Sequence, residues 1–523
     1  MNAFSLRLGL FTLTTVLLFS SGVSAQLDSV FGDDTSSLES GDSLESLTTD
    51  AAADPQAAFN SAMTAGQELL QQGQFTEAIA KFQEAQQIGP NFAAPYVGLG
   101  KCYVGLDSTQ DALTQFTRAM TVFGATTEPE ALFQAHMERG KIYLEIPSQY
   151  NTAVEDFATA AQLDPKSAEA QYFFGRSQLL QTISSIGRGL DQTGQATLRS
   201  TLELFAKAIE LNPNYGEAYL DRGRTLLRLR LIELSVADHE KAVQLLPQNT
   251  KILADLGFAY RNRAQLESSK PNPDTGKMIA DLNAALTAMD SYLAAHGNTP
   301  RLKPWEKPEP LEIQMQSVLI SKAETLISLG DEQDKNKSRY QAAIGVADRY
   351  LRLAELPPDE EAQGHYVRGL ALRMLGNLEQ AIDEFGEAIS LSRQAGQPNP
   401  EASFRRGILY FRQGDYDRAL SDFDNALLNP ISFQADSRVL FWKGLANAKL
   451  EKPNEAIRNY SLAIRNYPNY RYALLNRGLA YLDTGKDEKA LQDFNTLLRI
   501  DRTDKKAASY RSITKDRMNE KSL

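Results

Sequence analysis

From residue 59 onward, apolar positions fall three and four apart while polar residues fill the opposite face, so nearly the whole chain is predicted to be amphipathic helix. Small residues mark one recurring helical position: Gly66, Gly100, Gly140, Gly175, Gly223 and Gly257, then Gly369, Gly407, Gly444 and Gly478. Several steps, Gly66 to Gly100 and Gly444 to Gly478 among them, are 34 residues, and the others are longer by insertion. A period of this size builds a stacked array of helix pairs sharing one elongated core.

One unit, Phe404 to Pro430, shows the chemistry of the positions. Its first helix carries Gly407 and Tyr410, a turn follows at Gly414 and Asp415, and its second helix carries Ala419, Phe423 and Ala426. The small residues let two antiparallel helices nearly touch, the aromatic is expected to fill the wider gap against the next unit, and the proline ends the second helix. The second-helix set recurs as Ala78, Phe82 and Ala85, as Ala112, Phe116 and Ala119, as Ala153, Phe157 and Ala160, as Ala381, Phe385 and Ala388, and as Ala456, Tyr460 and Ala463.

This order of small, aromatic and proline positions resembles the tetratricopeptide (TPR) repeat over most of residues 59–504. The resemblance implies an all-α fold, an α-solenoid (right-handed superhelix) of about 11 helix–turn–helix units whose concave groove is lined mainly by first helices.

The pattern weakens in a few places. His239 takes the aromatic slot and Ser235 the alanine slot of one unit, which is expected to pack less tightly. Insertions are read at Ile183–Ala196 and Gln265–Gly276, and the helix near Lys277–Ala295 departs from the repeat. Residues 297–310 hold Pro300, Pro304, Pro308 and Pro310 with Trp305, cannot be one helix, and read as a joint between an N-terminal array (59–296) and a C-terminal array (311–504). Residues 505–523 supply a polar capping helix, Lys505 to Met518, and a tail.

The start of the chain is different. Arg7, an apolar run from Leu8 to Phe19 and the small residues up to Ala25 read as a signal peptide (1–25), with the mature chain starting at Gln26. An uncleaved anchor is the competing reading, against which the run is short for a span. Residues 26–58 hold eight acids and no Lys or Arg, and are expected to be a disordered acidic linker. Of the net charge of −11, this linker carries −8 and Arg7 carries +1, which leaves −4 over residues 59–523. A nearly neutral body argues against a nucleic-acid partner. The single cysteine, Cys102, allows no intrachain disulfide and reads as a small buried hydrophobe.

A search for catalytic chemistry finds little. The four histidines, His136, His239, His296 and His365, lack metal-ligand spacing, and Gly187–Gly194 lacks the Lys and Ser/Thr of a phosphate loop. No catalytic, cofactor-binding or metal residue is assigned, and no cofactor is expected. The signal lies in the groove. On the family pattern, the residue after the marker glycine faces it: Lys101, Lys141, Arg176 and Arg224, with Arg228 and Arg261 nearby. In later units that position is Leu370, Ile408, Leu445 and Leu479, with Tyr366, Phe404 and Phe441 four residues earlier. A groove that is basic in its first half and apolar in its second would take a protein or peptide segment acidic at one end and greasy at the other. The competing reading is that the cations solvate a helix face and the leucines pack between helices. The paired Asn and basic residues of the carboxylate clamp used by some TPR adaptors do not recur, so chaperone binding is not carried over.

Together these features point to a non-enzymatic scaffold or adaptor, an exported TPR protein of bacterial type, periplasmic or at the cell surface, with no transmembrane span in the mature chain. An accessory subunit of an envelope glycan-acting or secretion complex, or a self-assembling structural protein, is the alternative. Reversing the charges at Lys101, Lys141, Arg176 and Arg224 is expected to abolish capture without unfolding the array.

Overall fold

The computed structural model describes residues 54–522, apart from 123–127, 186–190, 297–314, 334, 354–355 and 429–432. The expected signal peptide, most of the acidic linker and the whole of the joint lie outside the described residues. Every element described is helical.

Eleven antiparallel pairs follow one another. The first four are α1 (Pro55–Gln71) with α2 (Phe75–Ile88), α3 (Ala93–Gly105) with α4 (Thr109–Val122), α5 (Pro129–Leu144) with α6 (Tyr150–Leu163), and α7 (Ala168–Ser185) with α8 (Gln192–Leu211). The next three are α9 (Gly216–Arg228) with α10 (Ile232–Leu245), α11 (Ile252–Ser268) with α12 (Thr275–His296), and α13 (Met315–Glu332) with α14 (Lys337–Leu351). The last four are α15 (Pro358–Leu375) with α16 (Leu378–Gln394), α17 (Pro400–Gln413) with α18 (Tyr416–Leu427), α19 (Phe433–Lys449) with α20 (Pro453–Asn466), and α21 (Arg471–Asp483) with α22 (Asp487–Ile500). A single helix, α23 (Lys505–Ser522), closes the stack against α22. The α1 helix already includes Pro55, so the end of the segment expected to be disordered is helical. Much of the insertion expected at 183–196 is helix too, because it lengthens α7 and α8.

Each pair is held by the marker glycine and the aromatic of its second helix. A Cβ built on Gly66, Gly140, Gly407 or Gly478 would come within 2.7–2.9 Å of the ring of Phe82, Phe157, Phe423 or Phe494, so only glycine lets the ring lie flat on the first helix. The ring was expected to fill the gap toward the next unit, yet it first covers its own unit's glycine. Phe82 does both, since it also packs on Gly98 of the following unit. The flanking alanines, such as Ala78 and Ala85, are fully buried.

A second device accompanies this packing. The arginine just before the marker glycine donates a bidentate pair of hydrogen bonds to the acid just before the aromatic. Arg222 reaches Asp238 at 2.7 and 2.8 Å, Arg406 reaches Asp422 at 2.9 and 2.8 Å, and Arg477 reaches Asp493 at 2.9 and 2.7 Å. Arg139 makes the same clasp with Asp156, while Arg368 gives Glu384 a single bond at 2.6 Å and turns its Nη1 to Asp348. Every one of these clasps joins the two helices of one unit. In most pairs the turn places one residue at positive φ. Gly376 and Gly414 supply it at no cost, while Arg230 and Glu451 adopt it at a strain of about 1–2 kcal/mol.

His239 sits over Gly223 in the aromatic slot, 1 % exposed. Its Nδ1 is 2.8 Å from the Ser235 carbonyl oxygen, whereas its buried Nε2 has no partner. Burial lowers its pKa from the ordinary 6.5, although Asp255 and Asp238 pull the other way and Arg224 adds to the lowering. The folded chain therefore keeps His239 neutral where the unfolded chain binds a proton. Its contribution to stability is present above pH ~6.5 and is lost as the pH falls toward the folded value. We expect His239→Phe to gain about 1 kcal/mol at neutral pH, from removal of the unpaired nitrogen, and to gain more at mildly acid pH. Denaturant melts of both proteins across that range check this; parallel losses of stability would refute it.

The core does not break at the proline-rich segment. Leu282, Met289 and Leu293 of α12 share one apolar cluster with Val318, Leu319 and Ile320 of α13 and with Tyr340 of α14. The segment thus interrupts the repeat in the sequence while the helices on either side of it pack directly. Cys102 is fully buried, and burial pushes its thiol up to about 11, as suits a packing residue. Among the described residues, no helix is long and apolar enough to cross a membrane, and no group of His, Cys, Asp and Glu could hold a metal ion.

Candidate functional site: the first-helix face

First helices of successive units touch one another, α3 with α5, α5 with α7, α7 with α9, α9 with α11 and α11 with α13. No second helix makes comparable contact with the next second helix among the described residues. The first-helix side is therefore the closely packed side, and the sequence-predicted site residues project from it.

Most of the predicted cations are already taken, by the next unit. Lys101 of α3 donates to Gln134 Oε1 of α5 at 2.8 Å. Lys141 of α5 lies 3.0 Å from Glu169 of α7, 3.3 Å from Glu138, and over the Phe173 ring. Arg176 of α7 pairs with Asp221 of α9 at 2.6 Å. Arg224 of α9 makes a bidentate pair with Asp255 of α11 at 2.9 and 2.8 Å and also reaches Asp221 at 3.1 Å. Arg261 of α11 pairs with Glu324 of α13 at 2.6 Å. The expected open ladder of charge is a chain of forward-reaching links that ties each unit to its successor.

Asp221 is the centre of this chain. It is 1 % exposed and accepts from Arg176, Arg224 and the Tyr172 hydroxyl. Burial alone would raise its pKa, but the two guanidiniums hold it below the ordinary carboxylate value. The Tyr172 hydroxyl is driven well above its usual pKa by burial and by Asp221, so it stays protonated, donating to Asp221 while accepting from Arg176 Nη1 at 3.3 Å. Arg228 is exposed and has no acidic partner among the described residues; it donates to the carbonyl of Arg224. Of the six predicted cations, it alone fits the reading of a free groove charge.

The apolar half also differs from expectation. Phe404 is buried against Phe423, and Tyr366 packs on Phe385, with burial pushing its hydroxyl up to about 12. These two rings belong to the core more than to an open channel. Phe441 is nearly buried but heads a run of rings, lying 5.3 Å from Tyr470 and 6.3 Å from Tyr472, which is 69 % exposed.

Sequence reading missed two groups. The acids Asp221 and Asp255 lie two residues before a marker glycine, and that offset, following an arginine one residue after the previous marker, was the available signal. Arg373, Arg412 and Arg438 were also missed. No carboxylate pairs with them among the described residues, and they occur in the half read as apolar.

Between α1, α3 and α5 the same face opens into a cleft of about 450 Å³. Met63, Leu70 and Phe82 form its apolar floor, and Gln67, Lys101 and Gln134 its polar rim. Gly98 at its wall keeps it open, because a Cβ there would strike the Phe82 ring. Glu128 accepts hydrogen bonds from the first amides of α3, at the cleft's edge, and burial raises its pKa.

The tetratricopeptide repeat profile matches residues 335–400, 390–438, 404–470 and 443–505, and a second TPR profile matches 66–107. The chain carries tetratricopeptide repeats. Human DnaJ homolog subfamily C member 7 is 23 % identical over 396 residues, covering 72 % of this chain and 71 % of that one. A TPR repeat-containing protein of Methanocaldococcus jannaschii is 20 % identical over 377 residues, covering 68 % and 62 %. Among solved structures, yeast Tom70 is similar at 13 % identity over 90 % of this chain and 97 % of that one, with a TM-score of 0.36. YrrB, described as a TPR protein with an unusual peptide-binding site, is similar at 19 % identity over 37 % and 91 %, with a TM-score of 0.31. These relatives lend nothing to a bacterial origin or to export. TPR arrays bind proteins and peptides, and no enzymatic family matches here.

Proposed function

We propose that this TPR chain is a non-catalytic adaptor that holds a segment of a partner protein on its first-helix face, and that it is exported before it does so. The observation that carries the first part is the cleft between α1, α3 and α5. A preformed apolar floor with a few polar groups at the rim is how a protein surface anchors one side chain of a partner and fixes its orientation. Stacked units then add modest contacts along the array. Export is supported by the basic, apolar and small-residue order from Arg7 to Ala25. The DnaJ name of the human relative is not transferred, because the paired Asn and basic residues of a carboxylate clamp do not recur.

Purification from the native source, with wild type and Gln67→Trp as baits, tests both parts. Gln67 is exposed on α1 at the cleft, so the indole obstructs the cleft without disturbing the core. The expected result is a set of co-purified chains lost with the variant, and a mature N-terminus at Gln26. Equal recovery with both baits would overturn the cleft, and an intact Met1 on the purified chain would overturn export.

A further inference from the structure

The links that neutralise the first-helix face run from α3 to α13, and the face changes beyond them. Arg373 lies in the last turn of α15, and its side-chain contact is a hydrogen bond from Nη2 to the sulfur of Met374 at 3.4 Å. Its Nε is buried without an acceptor. Arg405 and Arg412 of α17 are close enough that, after burial, their charges are the next influence lowering its proton affinity. Asp331, the acid nearest to it, already accepts from the Tyr340 hydroxyl at 2.6 Å. Arg405 is engaged by Glu401 at 2.6 Å, whereas Arg412 is exposed and has no carboxylate among the described residues.

One helix further on, Arg438 of α19 stands over the Phe404 ring of α17 at 5.9 Å, exposed and without an ion pair among the described residues. It also bears on Tyr470, which packs against Phe441 and Tyr472. Four first helices, α15, α17, α19 and α21, thus contribute to one strip in which unpaired guanidiniums lead into the half-buried Tyr470 and the exposed Tyr472.

We propose that Arg373, Arg412 and Arg438, with the rings of Phe441, Tyr470 and Tyr472 beside them, form a docking strip for an acidic protein segment that also carries an aromatic or apolar residue. The inference rests on the reading that the first-helix face receives partner segments, and it adds where on that face and with what chemistry. Charge complementarity selects the occupant. Elsewhere on this face, Arg228 apart, the predicted cations each face an acid or amide of the next unit, while here three guanidiniums wait for one. A guanidinium presents a fork of donors that matches a carboxylate, and arginine and tyrosine are the residues enriched at the centres of protein interfaces. Tyr472 offers an apolar surface that a partner ring can cover. A protein is favoured over a nucleic acid because residues 59–523 carry a net charge of −4, which repels a long polyanion but leaves a local cationic strip free to capture a short acidic one.

The test uses the full chain and a dye-labelled peptide of Asp, Glu and Phe residues, followed by fluorescence anisotropy at low and high salt. The same peptide with Asn and Gln in place of the acids, and a single-stranded oligonucleotide, serve as the other probes. The acidic peptide is expected to bind, to weaken with salt, and to bind roughly tenfold more weakly to the combined variant Arg373→Gln, Arg412→Gln and Arg438→Gln. Circular dichroism must show that this variant keeps its helix content. Tyr472→Ala should weaken the acidic peptide further without changing its salt dependence. Equal binding of the amide peptide, tighter binding of the oligonucleotide, or unaltered affinity in the folded triple variant would each overturn the strip. Loss of acidic-peptide binding in Gln67→Trp but not in the triple variant would place the peptide in the N-terminal cleft, overturning the strip while leaving the adaptor reading intact.

Discussion

A chain carrying Arg224→Glu is expected to lose about 3–5 kcal/mol of stability or more, because the new carboxylate would lie beside the buried Asp221 and Asp255 that the guanidinium now joins. Removing one partner of a buried pair strands the other charge away from water, and reversing it adds repulsion between three acids. Arg224→Met keeps the apolar stem and should cost less, since Asp221 retains Arg176 and Tyr172 while Asp255 loses its bidentate partner. Adding Asp255→Leu to Arg224→Met should restore part of the loss, because both ends of that link are then apolar. Denaturant melts followed by circular dichroism measure all three. An Arg224→Glu protein that melts with the wild type would mean the links are surface ornament. The same reasoning corrects the expectation that four charge reversals, at Lys101, Lys141, Arg176 and Arg224, separate binding from folding. At Arg176 and Arg224 they would attack the joints between units.

The second large effect is a reversal of sign at a marker glycine. Phe423→Ala should cost about 3–5 kcal/mol, the usual cost of emptying a large buried aromatic site, since Phe423 is fully buried. Gly407→Ala in the native chain pushes a methyl group to within 2.7 Å of that ring, and overpacking of this kind costs about 1–3 kcal/mol. With the ring already removed, the close contact left is Asp422 Cβ at 3.1 Å, which a small shift relieves, so the same change should instead stabilise, by up to roughly 1 kcal/mol, the helix-propensity gain of Ala over Gly. A double-mutant cycle by hydrogen exchange on α17 and α18 reads both values. Additive costs would show that the glycine is not there for the ring.

The helix pairs were legible because their spacing is set by packing that recurs unit after unit, and eleven pairs appear where about eleven units were expected. The small and aromatic positions came from the same regularity, but not that each ring would lie on the glycine of its own unit. What escaped was the partner of each charge. Residues at Lys141, Arg176, Arg224 and Arg261 look like a cationic row when only their own helices are read, because their acids lie 28, 45, 31 and 63 residues away on the next first helix. Arg261 and Glu324 even meet across the proline-rich segment, which sequence could only treat as a break. The clasp from Arg222 to Asp238, at a spacing of 16 residues repeated in Arg406 with Asp422 and Arg477 with Asp493, was there to be found. It was overlooked because acids on helices are so often mere solvated faces.

The forward-reaching links also give the stack a grain. From α3 to α13 each unit offers the donor and its successor holds the acceptor, so a cut between α5 and α13 leaves an orphaned charge on both new ends, and a cut before α5 leaves Lys101 without its amide partner. Ending a fragment after α8, for instance, exposes Arg176 without Asp221 and strips Asp221 of two of its three donors, Arg176 and Tyr172, which both lie on α7. Beyond α13 the charged links between units, Arg368 with Asp348 and Lys443 with Asp424, are partly exposed on both sides, and breaking them costs less. The chain is therefore divisible in its second half and nearly indivisible in its first, and shortened forms made for binding work are best begun, or ended, on the far side of α14.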